Sequence, residues 1–213
     1  MKTIDAVLSI AIGELAAILM LAIGRNISLP DAVRQFMPWL PLVFPLFTLA
    51  AMAAGAVLGR YFYIAYQLAK FALVGGLNFL IDLGILNLLI FTVGISSGFY
   101  AAVFKALAFL AAMTSSFIWN KFWTFGSLGT GEAGKQFMEF FIVSGIGLLV
   151  NVGSFAVLND FFGARNPLVL ALTGQAGIDL KTWASVSAAG AAVVGLAWNF
   201  IGYKFIVFRA KSA

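Results

Sequence analysis

Phe71-Ala-Leu-Val-Gly-Gly-Leu-Asn-Phe-Leu-Ile-Asp-Leu-Gly84 is the stretch on which the reading of this chain turns. Extended to Val93 it is an apolar run of roughly 23 residues, long enough for one helix to cross the hydrocarbon core of a bilayer. It is too long for a strand of a membrane barrel, so only a helix satisfies its backbone in lipid. Two polar side chains interrupt it, Asn78 and Asp82, at a spacing of i, i+4 that puts both on one helix face. A related run follows at Phe140-Phe-Ile-Val-Ser-Gly-Ile-Gly-Leu-Leu-Val-Asn-Val-Gly153. Phe71 falls on Phe140, Val74 on Val143, Gly76 on Gly145 and Gly84 on Gly153, with Asp82 opposite Asn151.

Outward from these two runs, further spans are expected at about Ile4–Ile23, Trp39–Leu58, Ala101–Trp123 and Trp183–Ile206, with the second run extending over about Phe137–Asn159. The sequence therefore predicts an all-α integral membrane protein of about six transmembrane helices. Composition agrees. Of 213 residues, 62% are apolar and 10% charged, and the mean hydropathy is +1.03. A soluble domain is about 45–50% apolar and about 25% charged, so the solvent of this chain is lipid. It has no cysteine and no histidine. That excludes a disulfide, a thiol nucleophile, a Cys/His metal site and imidazole acid–base chemistry, and no cofactor is expected. The net charge of +5 reads as anchoring near anionic lipid. Its basic residues are scattered at helix ends, so no nucleic-acid partner is expected.

The first stretch carries Lys2, Asp5 and Glu14 without a clear small-residue cleavage site, and reads as a retained helix. Pro38, Pro41 and Pro45 open the second, and Pro45 is a candidate kink. Arg60–Tyr66 reads as an aromatic interfacial connector, and Gly126–Gly134 as a flexible loop. With the N-terminus inside, the cytoplasmic ends hold Lys2, Arg60, Lys70, Lys121, Lys135, Lys204, Arg209 and Lys211. The opposite side holds Arg25, Arg34, Arg165 and Lys181, with Lys105 inside a span. The bias places both termini in the cytoplasm.

The last four spans read as two hairpin repeats, about 68–126 and 137–209, behind an N-terminal extension of two helices at 1–67. Phe117-Ile118, Lys121-Phe122 and Phe125 recur with identical spacing as Phe200-Ile201, Lys204-Phe205 and Phe208. An even number of crossings separates the copies, so they share one orientation. Two such hairpins either enclose a cleft or pack as a plain bundle.

These blocks resemble the GtrA-like family of small membrane proteins. The features are Phe-x-x-x-Gly-Gly-x-Asn at Phe71–Asn78, Trp-Asn-Lys-Phe-Trp-Thr-Phe at Trp119–Phe125, and the second copy's Phe141-Ile-Val-Ser-Gly and Trp198–Phe208. The resemblance covers roughly Leu68–Arg209; the two helices before it lie outside the usual unit. It implies translocation of a polyprenyl-phosphate-linked monosaccharide across the bacterial inner membrane, for O-antigen, teichoic acid or other envelope glycans. The implied partner is a membrane glycosyltransferase that makes the sugar lipid on the cytoplasmic face.

Moving such a lipid is a solvation problem, because phosphate and sugar hydroxyls do not enter hydrocarbon unaided. The polar residues within the spans are therefore the candidates. Asp82 lies near mid-span, where an ionised side chain costs at least about 2.5 kcal/mol. With Asn78 and Asn151 it is a candidate for the sugar path; the alternative is a buried partner that only fixes packing. Lys105 sits roughly 8–9 Å from Asp82 in depth, at 1.5 Å per residue. It is a phosphate ligand, an Asp82 partner or a snorkelling surface lysine. Lys121, Lys204 and Arg209 are candidates for phosphate capture, or ordinary positive-inside anchors. Asn120 and Asn199 are supporting polar groups beside them. Trp119, Trp123, Trp198 and Tyr203 read as belt residues. Gly75, Gly76, Gly84, Gly145, Gly147 and Gly153 read as sites of close helix approach.

Three functions compete: a lipid-linked sugar carrier, a non-transporting scaffold that recruits a glycosyltransferase, and a small-solute transporter. Intramembrane charge favours the first and third, and only the resemblance chooses lipid over solute. With no nucleophile–base pair and no metal set, no enzyme is expected. Four spans make a thin bundle, so a homo-oligomer is expected.

Overall fold

The computed structural model describes residues 1–26, 30–94, 98–127, 133–158, 167–172 and 180–208. Most of these are helical, with no strand among the described residues. Six long helices carry the fold: α1 Thr3–Asn26, α2 Leu40–Leu58, α3 Tyr63–Val93, α4 Gly98–Trp119, α5 Ala133–Ala156 and α6 Leu180–Gly202. Short helices at Asp31–Arg34, Met37–Trp39 and Pro167–Leu172 lie in the connections. Five segments, Thr3–Arg25, Asp31–Leu58, Tyr63–Val93, Gly134–Phe155 and Gly190–Val207, are long and apolar enough to cross a membrane. The remaining long helix, α4, has 22 residues. The chain is a multi-pass membrane protein.

The surface inverts the soluble pattern, as lipid requires. Phe47, Phe79, Phe91 and Leu149 are among many large apolar side chains turned outward, while Asp5, Asn78, Asn120 and Lys121 are turned in. Lipid replaces apolar contacts at little cost but cannot replace a hydrogen bond or a counter-ion.

The chain forms two compact units, residues 1–128 and 129–213. In the first, α1 packs on α2 and α3, α2 on α3, and α3 on α4. Ile12 of α1, Met52 of α2, Val74 and Leu77 of α3, and Trp123 beyond α4 form one core. The α1–α2 crossing is close because Gly13 lies on Pro45, where an added Cβ would stand 2.5 Å from the Pro45 Cα. Pro45 sits inside α2, and Thr48 Oγ1 donates to the Ser9 carbonyl of α1 at 2.7 Å. The second unit is built on the α5–α6 pair.

Two boundaries differ from the sequence expectation. Helix α3 starts at Tyr63 and runs for 31 residues, so most of the expected connector is helix. Extended Phe62 is its N-cap, and no glycine or proline interrupts it before Gly75. Its length, roughly 46 Å at 1.5 Å per residue, exceeds the hydrocarbon core, so an end reaches into the interface. Gly94, at φ 75°, ends α3, its N–H donating to the Ile90 carbonyl at 2.8 Å. The second difference is that α4 and α6 each end in a π-helical segment, Asn120–Thr124 and Tyr203–Val207.

Candidate functional site

Gln67, Phe71, Asn78 and Asp82 fall within roughly 60° of arc around α3, at 100° per residue. Gln67 and Asn78 are buried and Asp82 is half-buried. Asn78 is only 8% exposed, and neither amide atom has a hydrogen-bond partner among the described residues. A buried carboxamide left so costs stability, which makes it a candidate ligand contact. The structure thus brings Asn78 and Asp82 onto one inward face, as their spacing implied.

The π segments aim the two lysines. In the first, the Phe125 N–H donates to the Asn120 carbonyl at 2.9 Å; in the second, the Phe208 N–H donates to the Tyr203 carbonyl at 2.8 Å. Each bond spans five residues, and each segment starts at the same register of its hairpin. π-Bulges of this kind concentrate at functional sites. The Lys121 ammonium lies 5.6 Å from the centre of the Phe117 ring, and that of Lys204 lies 5.7 Å from the Phe200 ring. Both lysines therefore sit over the ring four residues earlier. Lys121 is 6% exposed and Lys204 half-buried. No carboxylate among the described residues pairs with Lys121 or Lys204. The Lys121 carbonyl accepts from the Ser127 N–H at 2.9 Å across Gly126, at φ 62°.

Asn120 supports this end of the hairpin. Its Nδ2 donates to the Ser116 carbonyl at 2.9 Å and to Ser116 Oγ at 3.2 Å, while its buried Oδ1 has no partner among the described residues. Asn199 is not its counterpart. By the register of the lysines, Asn120 falls on Tyr203 and Asn199 on Ser116. Tyr203 is buried, stacks on Phe140 at 4.2 Å and shares a 2.7 Å hydrogen bond with Ser144. Trp198 Nε1 donates to the Val143 carbonyl at 3.2 Å.

The second hairpin carries its amides differently. The position aligned with Asn78 is Gly147, and the Asn199 side chain fills the space that a Cβ at Gly147 would need. Asn199 Oδ1 is buried with no partner among the described residues. Half-buried Asn151 lies against Gly195, where a Cβ would stand 3.1 Å from the Asn151 Cβ. One hairpin carries this amide on its first helix, at Asn78; the other carries it on its second, at Asn199, against Gly147 of the first.

Two candidates fall outside the described residues: Arg209 altogether, and Lys105 as to its side chain, although its backbone belongs to α4. The glycine expectation is corrected at four positions. A Cβ at Gly75, Gly76, Gly145 or Gly153 would meet nothing within 4 Å. The expectation holds at Gly84, against Leu19, and at Gly147, against Asn199, and close contact also occurs at Gly195 and Gly202, against Asn151 and Val143.

The structure also assembles a site that sequence reasoning missed. Asp5 of α1 is 1% exposed. Its Oδ1 accepts from the Lys70 ammonium at 2.6 Å and from Trp123 Nε1 at 2.8 Å, and its Oδ2 accepts from the Tyr66 hydroxyl. The Lys70 ammonium lies 4.7 Å from the Tyr66 ring centre and 5.4 Å from that of Trp123. Trp123 is therefore an interior donor, not a belt residue, because the π segment turns its indole toward α1. The available signal was an acid in the first turn of a span, with a lysine expected at the same membrane end.

In the first unit, an apolar cavity of about 280 Å³ is lined by Met20, Ile23, Phe36, Phe79, Leu80 and Leu83 among others. Compared with known proteins, residues 70–210 match a family model described as GtrA/DPMS, transmembrane domain. No curated protein and no solved structure matches the chain.

Proposed function

Because the chain belongs to the GtrA/DPMS transmembrane-domain family, we propose that it carries a polyprenyl-phosphate-linked monosaccharide across the bacterial inner membrane. The family is linked in general to translocation of such sugar lipids. The cargo then serves cell-envelope polysaccharide synthesis or glycan modification, and a membrane glycosyltransferase supplies it on the cytoplasmic face. In this reading both termini are cytoplasmic, and a second copy of the chain completes the passage.

The observation that carries the reading is Lys121. It is a cation more than nine-tenths buried, with an aromatic ring beside it and no carboxylate among the described residues to neutralise it. A lipid phosphate supplies the missing charge, and the weak ring contact lets it leave. Lys204, half-buried, lies beside the Phe200 and Phe205 rings in the second hairpin; Lys105 and Arg209 are assigned to phosphate as well. Asn78, whose amide has no hydrogen-bond partner among the described residues, and Asp82 and Asn151 take the sugar hydroxyls, with Asn120 and Asn199 supporting. No covalent step is involved. The polyprenyl tail stays in hydrocarbon throughout, and the apolar cavity fits a few isoprene units.

A scaffold that only recruits a glycosyltransferase needs neither a buried lysine without a counter-ion nor an open amide. A small-solute transporter uses both, and differs in requiring no lipid tail. Reconstitution separates the three. Proteoliposomes containing a labelled polyprenyl-phosphate monosaccharide are followed for exposure of the sugar, with wild type, Lys121→Met and Asp82→Asn. Wild type should accelerate exposure. Lys121→Met should slow it about tenfold or more, the worth of a charged hydrogen bond. Wild type no faster than empty liposomes favours the scaffold. Uptake of the water-soluble sugar phosphate in place of the lipid favours the solute transporter.

A further inference from the structure

We infer that Tyr66, Lys70 and Trp123 form a phosphate site that the chain's own Asp5 occupies. The inference rests on the sugar-lipid reading for the source of the phosphate, but its geometry is separate from the path assigned above.

Three donors of different kinds converge on one anion: an ammonium, an indole N–H and a phenol O–H. They come from the start of α3 and from the π segment after α4. The acceptor comes from α1, which lies outside the matched residues 70–210, whereas Lys70 and Trp123 lie inside them. The matched residues thus present two of the three donors, and Tyr66 and the carboxylate lie outside them.

A carboxylate serves this set by sharing one oxygen between two donors. Asp5 has two oxygens for three donors, and Oδ1 takes both Lys70 and Trp123. A phosphate monoester, such as a polyprenyl phosphate without its sugar, offers three non-bridging oxygens, one for each donor. The Tyr66 and Trp123 rings flank the ammonium, so an anion that displaced Asp5 would meet a dry, strongly attractive site. Depth favours a lipid source. Asp5 is the third residue of α1, and Tyr66 the fourth of α3, so the site stands at a membrane end where lipid phosphates lie. Asp5 then acts as an internal competitor, and outside phosphate binds only in the fraction of molecules in which it has moved aside.

The test is ligand-dependent thermal stability of the full-length chain in detergent. Farnesyl phosphate, farnesol and inorganic phosphate are each titrated into wild type, Asp5→Ala and Asp5→Ala/Lys70→Ala. Farnesyl phosphate should raise the melting temperature of Asp5→Ala at about a tenfold lower concentration than wild type requires, because the competitor is gone. The double variant should lose the response, and farnesol should give none. A response to farnesyl phosphate alone assigns the site to lipid; a response to inorganic phosphate as well supports the site and makes the free ion a sufficient ligand. Where Asp5→Ala does not fold, Asp5→Asn removes the charge and keeps the side-chain shape. No gain in either variant, a gain that survives loss of Lys70, or an equal response to farnesol overturns the proposal. The assay involves no transport. A chain that binds farnesyl phosphate this way yet moves no sugar keeps the site and loses the carrier reading.

Discussion

Asp5 and Asn78 are buried and Lys70 half-buried in one unit, and their surroundings give them opposite expected effects on stability. Asp5 and Lys70 satisfy each other at 2.6 Å. Asp5→Ala without added ligand strands a buried ammonium and should cost about 3–5 kcal/mol. Lys70→Met in the same chain should recover part of that loss, because the orphaned charge goes with it. Denaturant unfolding in detergent micelles checks both. Asn78 is the contrary case, since neither amide atom is paired among the described residues. Asn78→Leu should leave stability unchanged or raise it, while slowing sugar translocation in the reconstituted assay. A fall in stability would instead mean that the amide is a structural hydrogen-bonding group. The sequence located Asn78 and Asp82 because a polar residue in an apolar run is visible by contrast. It did not reveal the role of Asp5, because an acid in the first turn of a span looks like ordinary interfacial polarity.

At the scale of elements, the hairpins repeat their lysines and their π segments but exchange their amides. Lys121 and Lys204 were legible because the spacing of Phe117, Lys121 and Phe125 recurs unchanged. The π segments were not, since a five-residue hydrogen bond leaves no period in so short a stretch. Nor was the amide exchange, which depends on which residues face one another across two helices. It gives a sharp expectation at Gly147, where any Cβ would overlap Asn199 Oδ1. Gly147→Ala should cost about 1–3 kcal/mol by overpacking. Asn199→Ala in the same chain should relieve most of that, a non-additivity that a double-mutant thermal-unfolding cycle measures. Gly145→Ala, two residues away, has open space around it and should be close to neutral.

For the molecule as a whole, the contact between α1 and the π segment fixes one point of topology. Asp5 bonds Trp123 directly, so the N-terminus and the end of the first hairpin lie at one membrane face. The chain has no cysteine, so single engineered cysteines report cleanly. Lys2→Cys and Ser127→Cys should label with an impermeant reagent from the same side, and Val93→Cys, at the far end of α3, from the opposite one. The positive-inside bias assigns the shared side to the cytoplasm; labelling of the first two from outside intact cells would reverse that assignment.

The sequence by itself determined that lipid is the solvent, that the chain crosses it as helices, which family it belongs to and which polar residues enter the spans. Those properties depend on composition and on spacing along the chain, because a bilayer forces every backbone polar group in a span to be satisfied within its own helix. The tertiary structure decided which polar groups meet. It made Asp5 of α1 the counter-ion of Lys70, turned Trp123 inward through a π segment, and buried the Lys121 ammonium beside an aromatic ring with no paired carboxylate among the described residues. Those outcomes depend on contacts between helices far apart in sequence, where lipid substitutes freely for apolar neighbours and only charge, hydrogen bonding and close packing set the register.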